Sequence, residues 1–285
     1  AESGKWRTSR AEYQRGIMDA FSDPSIDTVV WMSSAQVGKT EALLNIVGYF
    51  VDQDPSPMLL LQPTLDMAQA FSKDRLAPMT RDTKNLTEKI RDSKAKDSGN
   101  TILHKSFPGG HITMAGANSP ASLASRPVRI VLCDEVDRYP PSAGSEGDPV
   151  NLAFKRSTTF WNKKRMLTST PTIQGVSRIE AAYEESDKRK FYVPCHDCGQ
   201  EQVLKWMNVS WDEDKPETAM YFCEHCGTSW SDAERWKAVS KGKWKAEKES
   251  KGIAGFWLNE LYSPREELSE MVKYFKKKKK SPHTL

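Results

Sequence analysis

Two short patterns in this chain place reactive side chains at spacings that chemistry uses. The first is Cys195-x2-Cys198 and, after 24 intervening residues, Cys223-x2-Cys226. Each pair is followed by glycine, Gly199 and Gly227, which permits the positive φ that a metal-binding knuckle needs. Four thiolates in a tetrahedral array suit Zn²⁺ in a closed structural site with no open position for catalysis. The spacer slightly exceeds the usual run of about 15–20 residues, which costs little in a loop. His196 and His225 fall inside the knuckles and are expected at the surface rather than on the metal. A redox dithiol would leave the second matched pair unexplained. The second pattern is Ser33-Ser34-Ala35-Gln36-Val37-Gly38-Lys39-Thr40. In a loop of this type backbone N–H groups converge on phosphate oxygens, the lysine reaches the β- and γ-phosphates, and the Thr hydroxyl holds Mg²⁺. The full pattern asks for glycine where Ser33 stands, so on this stretch alone an ordinary strand-to-helix turn stays open.

A phosphate loop needs a buried strand before it and a helix after it. Val29 to Met32 supplies the apolar run, and Leu43, Leu44, Ile46 and Val47 supply the helical spacing. A second apolar strand, Val128 to Cys133, ends in Asp134-Glu135 about 95 residues downstream. Alternation along that strand is expected to send the two carboxylates in opposite directions. Asp134 would then hold Mg²⁺ beside Thr40, and Glu135 would orient and deprotonate the attacking water. A surface turn is the plainer alternative for the acidic pair. Further strands are expected at Met58–Leu61 and Arg165–Thr170, with a hairpin from Thr101 to Gly116 turning at Pro108-Gly109-Gly110.

Helices are expected at Tyr13–Phe21, after a Thr64 cap, and at Glu266–Phe275. A helix from Arg81 should give way to an exposed loop ending near Asn100, and 121–126 should be a short helix or turn. Strands separated by helices, most of them wholly apolar, indicate an α/β fold with a mostly parallel sheet covered on both faces. Phe191-Tyr192-Val193, Val203-Leu204, Tyr221-Phe222, Trp206, Trp211 and Trp230 are expected to form the strands and small core around the cysteines. Ile253 to Leu258 should rejoin the main sheet.

At 285 residues the chain can bury a sizeable core, and its net charge of +4 is too small to argue for nucleic acid. The basic run Lys276–Lys280 reads as a solvated tail, and Lys241-Gly242-Lys243-Trp244-Lys245 as either a DNA contact or a plain hairpin. No apolar segment approaches the roughly 20 residues that span a membrane, and the N-terminus is no signal peptide. A soluble intracellular protein is expected, its five cysteines serving as ligands or core residues rather than disulfides.

Four stretches occur in an order that resembles a known family. They are Ala35-Gln36-Val37-Gly38-Lys39-Thr40-Glu41, Gln62-Pro63-Thr64, Asp134-Glu135-Val136-Asp137 and Thr168-Ser169-Thr170-Pro171. Together they look like the ATPase half of a lambda-like phage terminase large subunit, and the resemblance covers roughly Tyr13 to Leu261. It implies a P-loop NTPase of the additional-strand class with a small four-cysteine zinc ribbon. By extent that means an ATPase core over 1–185, a ribbon over 186–250, and a returning strand and helix over 251–285. It also implies ATP, Mg²⁺ and Zn²⁺ as cofactors, and double-stranded DNA, a small subunit and a portal protein as partners. A ring when assembled, a monomer as a fragment, and a bacterial host cytoplasm complete the expectation.

Tyr13-Gln14 is similar to the family's adenine-reading Q motif, and Thr168-Ser169-Thr170 to its coupling motif. Two departures stand out. Many terminases carry an arginine in the phosphate loop where this chain has Ala35, so Arg126 becomes the candidate finger acting on a neighbouring subunit. The nuclease domain that follows in these proteins has no counterpart in this sequence, which therefore looks like an isolated ATPase fragment. A helicase-like remodelling ATPase and a zinc-ribbon binding module with a vestigial nucleotide site are the rival readings.

Overall fold

The phosphate-loop strand is buried along its whole length because it lies in the middle of the molecule's main sheet. In a computed structural model, which describes residues 7–90, 100–119, 126–173 and 175–279, thirteen strands divide between two sheets. In chain order they are β1 (Thr28–Ser33), β2 (Pro57–Gln62), β3 (His104–Phe107), β4 (Gly110–Gly116), β5 (Ile130–Asp134), β6 (Lys164–Ser169) and β7 (Arg189–Pro194). Then follow β8 (Glu201–Val203), β9 (Val209–Asp212), β10 (Lys215–Phe222), β11 (Ser229–Trp230), β12 (Lys243–Lys245) and β13 (Ile253–Leu258). The large sheet runs β12-β7-β13-β1-β6-β5-β2-β4-β3, with β8 on β7; a three-stranded sheet runs β11-β10-β9. The central pairings of the large sheet, from β7 through β4, are all parallel. The extra strand β6 sits between the phosphate-loop strand β1 and the acidic strand β5, which is the arrangement of the additional-strand class.

Parallel strands buried on both faces send alternate side chains into two cores. Val29, Trp31, Leu60, Leu132 and Met166 enter one cluster, and Val30, Met32, Leu61, Cys133 and Leu167 the other. Trp31 is fully buried, and burying a side chain of that kind contributes roughly 2–3 kcal/mol. Helices α1 (Tyr13–Ser22), α2 (Lys39–Asp52) and α3 (Leu65–Phe71) supply apolar residues to the first cluster. Thr64 caps α3 by accepting from Met67 N. The segment expected as a helix from Arg81 is two short pieces, α4 (Ala77–Asp82) and α5 (Lys84–Lys89), broken where Thr83 turns extended. The second cluster is closed by α6 (Pro149–Lys155) and α7 (Arg178–Glu185). Two further helices follow, α8 (Asp232–Val239) and α9 (Leu268–Lys279).

Expectation and structure part at the ribbon boundary. Phe191 to Val193 was expected in the ribbon, yet it lies in β7, parallel to β13 in the large sheet. β12 pairs antiparallel on the other edge of β7, and Tyr13, Phe191, Cys195, Tyr221, Cys223 and Trp230 share one buried cluster. Alternating apolar residues serve either sheet equally well, so the pattern could not tell which one they join. β13 does return to the main sheet as expected, in parallel register with β1 from Thr28↔Ile253 to Ser33↔Leu258. The hairpin from Thr101 forms only from His104 onward. The exposed loop expected over 91–99 and the turn over 121–125 lie outside the described residues. No helix among the described residues is long and apolar enough to cross a membrane.

Candidate active site and metal centre

The phosphate loop bridges the end of β1 and the start of α2. Gln36 (φ 63°) and Gly38 (φ 83°) are both left-handed, and residues of that hand in a short loop turn successive N–H groups into an anion-binding concavity. Gly38 has a second reason to lack a side chain, since a Cβ there would collide with Gln14 Nε2. Helix α1 holds the loop from behind: Tyr13 Oη donates to Val37 O (3.0 Å), and Gln14 Nε2 donates to Val37 O and Gly38 O (both 3.2 Å). Gln14 is buried. Burial also raises the Tyr13 hydroxyl pKa well above its ordinary value, the charge of Arg265 opposing it, so the phenol stays a donor.

Lys39 follows Gly38 and is only 7% exposed. Its ammonium donates to Ser34 O (3.1 Å) and Thr170 Oγ1 (2.9 Å) and lies 3.7 Å from Glu135 Oε1. Burial lowers its pKa, opposed by the charges of Glu135 and Asp134. The parallel register places Asp134 beside Thr168 on the neighbouring strand. Thr168 Oγ1 donates to Asp134 Oδ1 (2.7 Å) and Gln62 Nε2 to Oδ2 (3.0 Å), so two neutral donors fix a buried carboxylate at the strand ends. β5 ends at Asp134, and Glu135 is left-handed (φ 54°, ψ 50°). The two carboxylates thus part through a strained turn rather than through the strand alternation expected, and such strain gathers at functional sites. The Asp134 carboxylate is a hard oxygen donor of the kind Mg²⁺ takes, and Thr40 in the first turn of α2 would be a second.

Orphaned polar atoms mark where a ligand fits. Among the described residues eight buried side-chain nitrogens and oxygens lack a hydrogen-bond partner, and four of them are Gln14 Oε1, Ser33 Oγ, Ser34 Oγ and Glu135 Oε2. All four belong to the phosphate loop or to residues that touch it or its lysine. Buried polar groups are normally satisfied, so this concentration is what a site for a polar ligand would leave.

The four cysteine sulfurs lie within 4.8 Å of one another. Cys195 Sγ is 3.8 Å from Cys226 Sγ, and Cys198 Sγ is 3.9 Å from Cys223 Sγ. A tetrahedron with Zn–S bonds of about 2.3 Å has edges of about 3.8 Å, so the cluster already has the size of a zinc site. The two knuckles repeat each other. Gly199 N donates to Cys195 O and Gly227 N to Cys223 O, at φ 72° and 73°. Asp197 N and His225 N each donate to a sulfur two residues back. Burial works against ionisation of Cys223, but N–H donors from Cys226 and His225 and the Gln202 amide bring its thiol down to about 6. His196 and His225 are both exposed.

These features meet in one known group of proteins. The family model for the ATPase domain of phage terminase large subunit gpA matches residues 1–244. The chain belongs to that family. It is 33% identical over 255 residues to the terminase large subunit of Enterobacteria phage P21, covering 85% of this chain and 39% of that protein. It is 30% identical over 232 residues to the terminase large subunit of Escherichia phage lambda, covering 79% of this chain and 36% of that protein. The chain thus spans under two-fifths of the length of these relatives. Its backbone is similar to a mutant of the large terminase ATPase domain of Thermus phage P74-26, with a TM-score of 0.53 at 14% identity, over 94% of this chain and 88% of that one. That likeness is one of fold.

In this terminase ATPase domain the structure brings together Tyr13, Gln14, the loop Ser33 to Thr40, Asp134 and Glu135. The three hydroxyls of the expected coupling motif separate into three tasks. Thr168 holds Asp134, Ser169 Oγ accepts from Asp137 N (3.2 Å), and Thr170 alone meets Lys39. Arg126 is not brought in. It precedes β5 at the end of that strand away from Asp134. Its charge, after burial, helps hold His104 and His111 below the ordinary histidine range. Sequence reasoning quoted Gln62 only as part of a resemblance and missed Arg138, whose Nε lies 3.7 Å from Glu135 Oε2. The signal was there in the spacing, since residues three apart in a 3₁₀ turn eclipse one another.

Proposed function

We propose that this terminase ATPase domain hydrolyses ATP at the loop Ser33 to Thr40 to drive double-stranded DNA into a procapsid. In this reading Lys39 binds the β- and γ-phosphates, and Thr40 and Asp134 hold Mg²⁺, which would neutralise phosphate charge. Glu135 accepts the proton of the attacking water, and Thr170 senses whether Lys39 is engaged with phosphate. Tyr13 and Gln14 brace the loop, and the unpartnered Gln14 Oε1 is free to accept from the adenine amino group. Cys195, Cys198, Cys223 and Cys226 hold one Zn²⁺ in a structural role, in a ribbon that narrows to the segment between β7 and β12. Arg126 serves the site of the next subunit in a ring. The full protein works with a small subunit and a portal protein in the cytoplasm of a bacterial host.

The observation that carries the reading is the buried Lys39 ammonium, parked on Ser34 O and Thr170 Oγ1 beside Glu135, with orphaned loop hydroxyls around it. An ammonium so placed has only to exchange two neutral acceptors for phosphate oxygens. Glu135→Gln should keep ATP affinity and cut turnover by about 10²–10⁴, the usual contribution of a positioned base. Lys39→Ala should weaken binding itself. Steady-state hydrolysis and equilibrium nucleotide binding, with and without double-stranded DNA, separate these; a Glu135→Gln variant turning over at the wild-type rate would refute the assignment.

A further inference from the structure

Phosphoryl transfer spreads negative charge over the equatorial oxygens, and a lysine with one divalent ion neutralises only part of it. The phosphate loop offers no second cation, because Ala35 stands where a charge could have entered from within it. A guanidinium is nevertheless present beside this chain's own site. Glu135 lies between two cations, with Lys39 Nζ 3.7 Å from Oε1 and Arg138 Nε 3.7 Å from Oε2. The charge of Arg138 also bears on Lys39, among the influences that follow burial in lowering its pKa.

The backbone under Arg138 is firmly held while its side chain is loose. Arg138 N donates to Glu135 O (2.9 Å) in a 3₁₀ turn, Val136–Arg138. Arg178 Nη1 donates to Val136 O (3.2 Å) and to Tyr139 O (2.9 Å). Between them Asp137 accepts from Thr172 N (3.0 Å) and from Ile179 N (2.9 Å). The turn is therefore fixed from both sides, by α7 and by the segment that follows β6. By contrast the Arg138 side chain is 67% exposed, and its pairing with Glu135 at 3.7 Å is longer than a hydrogen bond. Glu135 Oε2, the oxygen it faces, has no hydrogen-bond donor. A guanidinium on a rigid stem, with slack at its tip and a buried ammonium behind its partner, is poised to change partners.

We infer that Arg138 is a catalytic residue of its own subunit, neutralising Glu135 in the empty loop and turning its guanidinium onto γ-phosphate oxygens when nucleotide fills it. The inference rests on the ATPase reading above. As Lys39 leaves Thr170 and Ser34 for phosphate, the incoming negative charge out-competes a single carboxylate for the exposed guanidinium. The planar fork can then bind two oxygens at once. Withdrawal of Arg138 also frees Glu135 to orient water, so one movement supplies charge and releases the base. Arg126 stands at the other end of β5 and cannot do this for its own subunit.

Binding of ADP with aluminium fluoride, read by calorimetry, tests the inference without turnover. Wild-type protein should bind ADP–fluoroaluminate at least about tenfold more tightly than ADP. Arg138→Ala should lose that gain while its affinity for ADP alone stays within about threefold and its melting temperature is unchanged. Arg138→Lys should recover part of the gain. An Arg138→Ala variant that keeps the whole gain overturns the inference. So does a mixture of Arg138→Ala with Lys39→Ala subunits that regains hydrolysis, because a residue acting across subunits would be complemented there and one acting within its own would not. A wild-type protein with no gain at all, and with turnover indifferent to Glu135→Gln, brings down the ATPase reading and this inference with it.

Discussion

The cysteine cluster and the nucleotide site hold comparable numbers of polar groups, but they are built in opposite ways. The cluster comes from two five-residue knuckles whose own backbone supplies the turn, the N–H···S bonds and the positive φ. The nucleotide site is gathered from α1, the phosphate loop, and the ends of β2, β5 and β6. If the cluster holds Zn²⁺ as proposed, a site made so locally is all-or-none, because each thiolate is then needed for the metal and the metal for the fold. A site gathered from a rigid sheet can lose one member and keep its frame. Function then fails while the fold stands.

The largest effect that would test this contrast is loss of the metal. Structural zinc in small domains is bound with an apparent free energy of about 10–16 kcal/mol. Chelation or Cys198→Ser should unfold the ribbon, and the shared core with Tyr13 and Trp31 should carry the damage to the whole domain's melting transition. Metal analysis giving well under one Zn²⁺ per folded chain would dissolve the contrast. Next comes Thr168→Val, which keeps shape but removes a donor from the buried Asp134 carboxylate. A hydrogen bond to a charged group is worth about 1.5–3 kcal/mol. A fall of about 2–5 °C in melting temperature is expected, with a higher Mg²⁺ requirement for hydrolysis. A Mg²⁺ dependence unchanged from wild type would separate Asp134 from the metal.

Gly38→Ala should be smaller in stability and larger in binding. A left-handed φ costs a side-chain-bearing residue about 1–2 kcal/mol, and the new Cβ would displace Gln14 from the loop. Nucleotide affinity should fall about tenfold with the fold intact, and titration calorimetry showing wild-type affinity would count against the brace. The smallest effect lies in the joint between the two regions. Burial, then the hydrogen bond and charge of Glu266, push the Glu260 carboxyl up to about 7 from 4.5, with Lys278 opposing. The folded state therefore holds this proton more tightly than the unfolded one. Stability from this group is complete below about pH 4.5 and is lost as pH rises through about 7. Glu260 is only half-buried, and the effect, discounted for solvent screening, stays under about 1 kcal/mol. Glu260→Gln should melt about 1–2 °C above wild type at pH 8 and level with it near pH 5; a gain of the same size at both would exclude the titration.

The same contrast explains which parts were legible in the sequence. The knuckles and Gly38-Lys39-Thr40 announce themselves because a backbone demand and a chemical group sit within a few residues. The α/β class followed from wholly apolar strands alternating with helices. What could not be read was partnership. That Thr168 serves Asp134 depends on β6 lying beside β5 in one register, and that Gln62 joins them depends on β2 flanking the other side. Strand order is a property of the assembled sheet and leaves no local trace. Phe191 to Val193 was misplaced for the same reason. Glu135 was expected to part from Asp134 by strand alternation and parts from it through a left-handed turn instead, which is not visible in its neighbours' types.

The late strands β12 and β13 close the large sheet around the start of the chain. Trp244 on β12 donates from Nε1 to Tyr13 O (2.8 Å), a span of 231 residues, and β13 closes the flank of β1. At about 5–20 residues per second a ribosome takes roughly 10–50 s to cover that distance. Until β6 is made β1 lacks both neighbouring strands, and until β13 is made it lacks one; an uncovered edge invites the wrong partner. Until residue 258 has been synthesised, the N-terminal half holds the phosphate loop without its finished brace. The strand made late completes the surroundings of the strand made first, so a nascent chain halted before β13 holds the phosphate loop on a strand flanked on one side only.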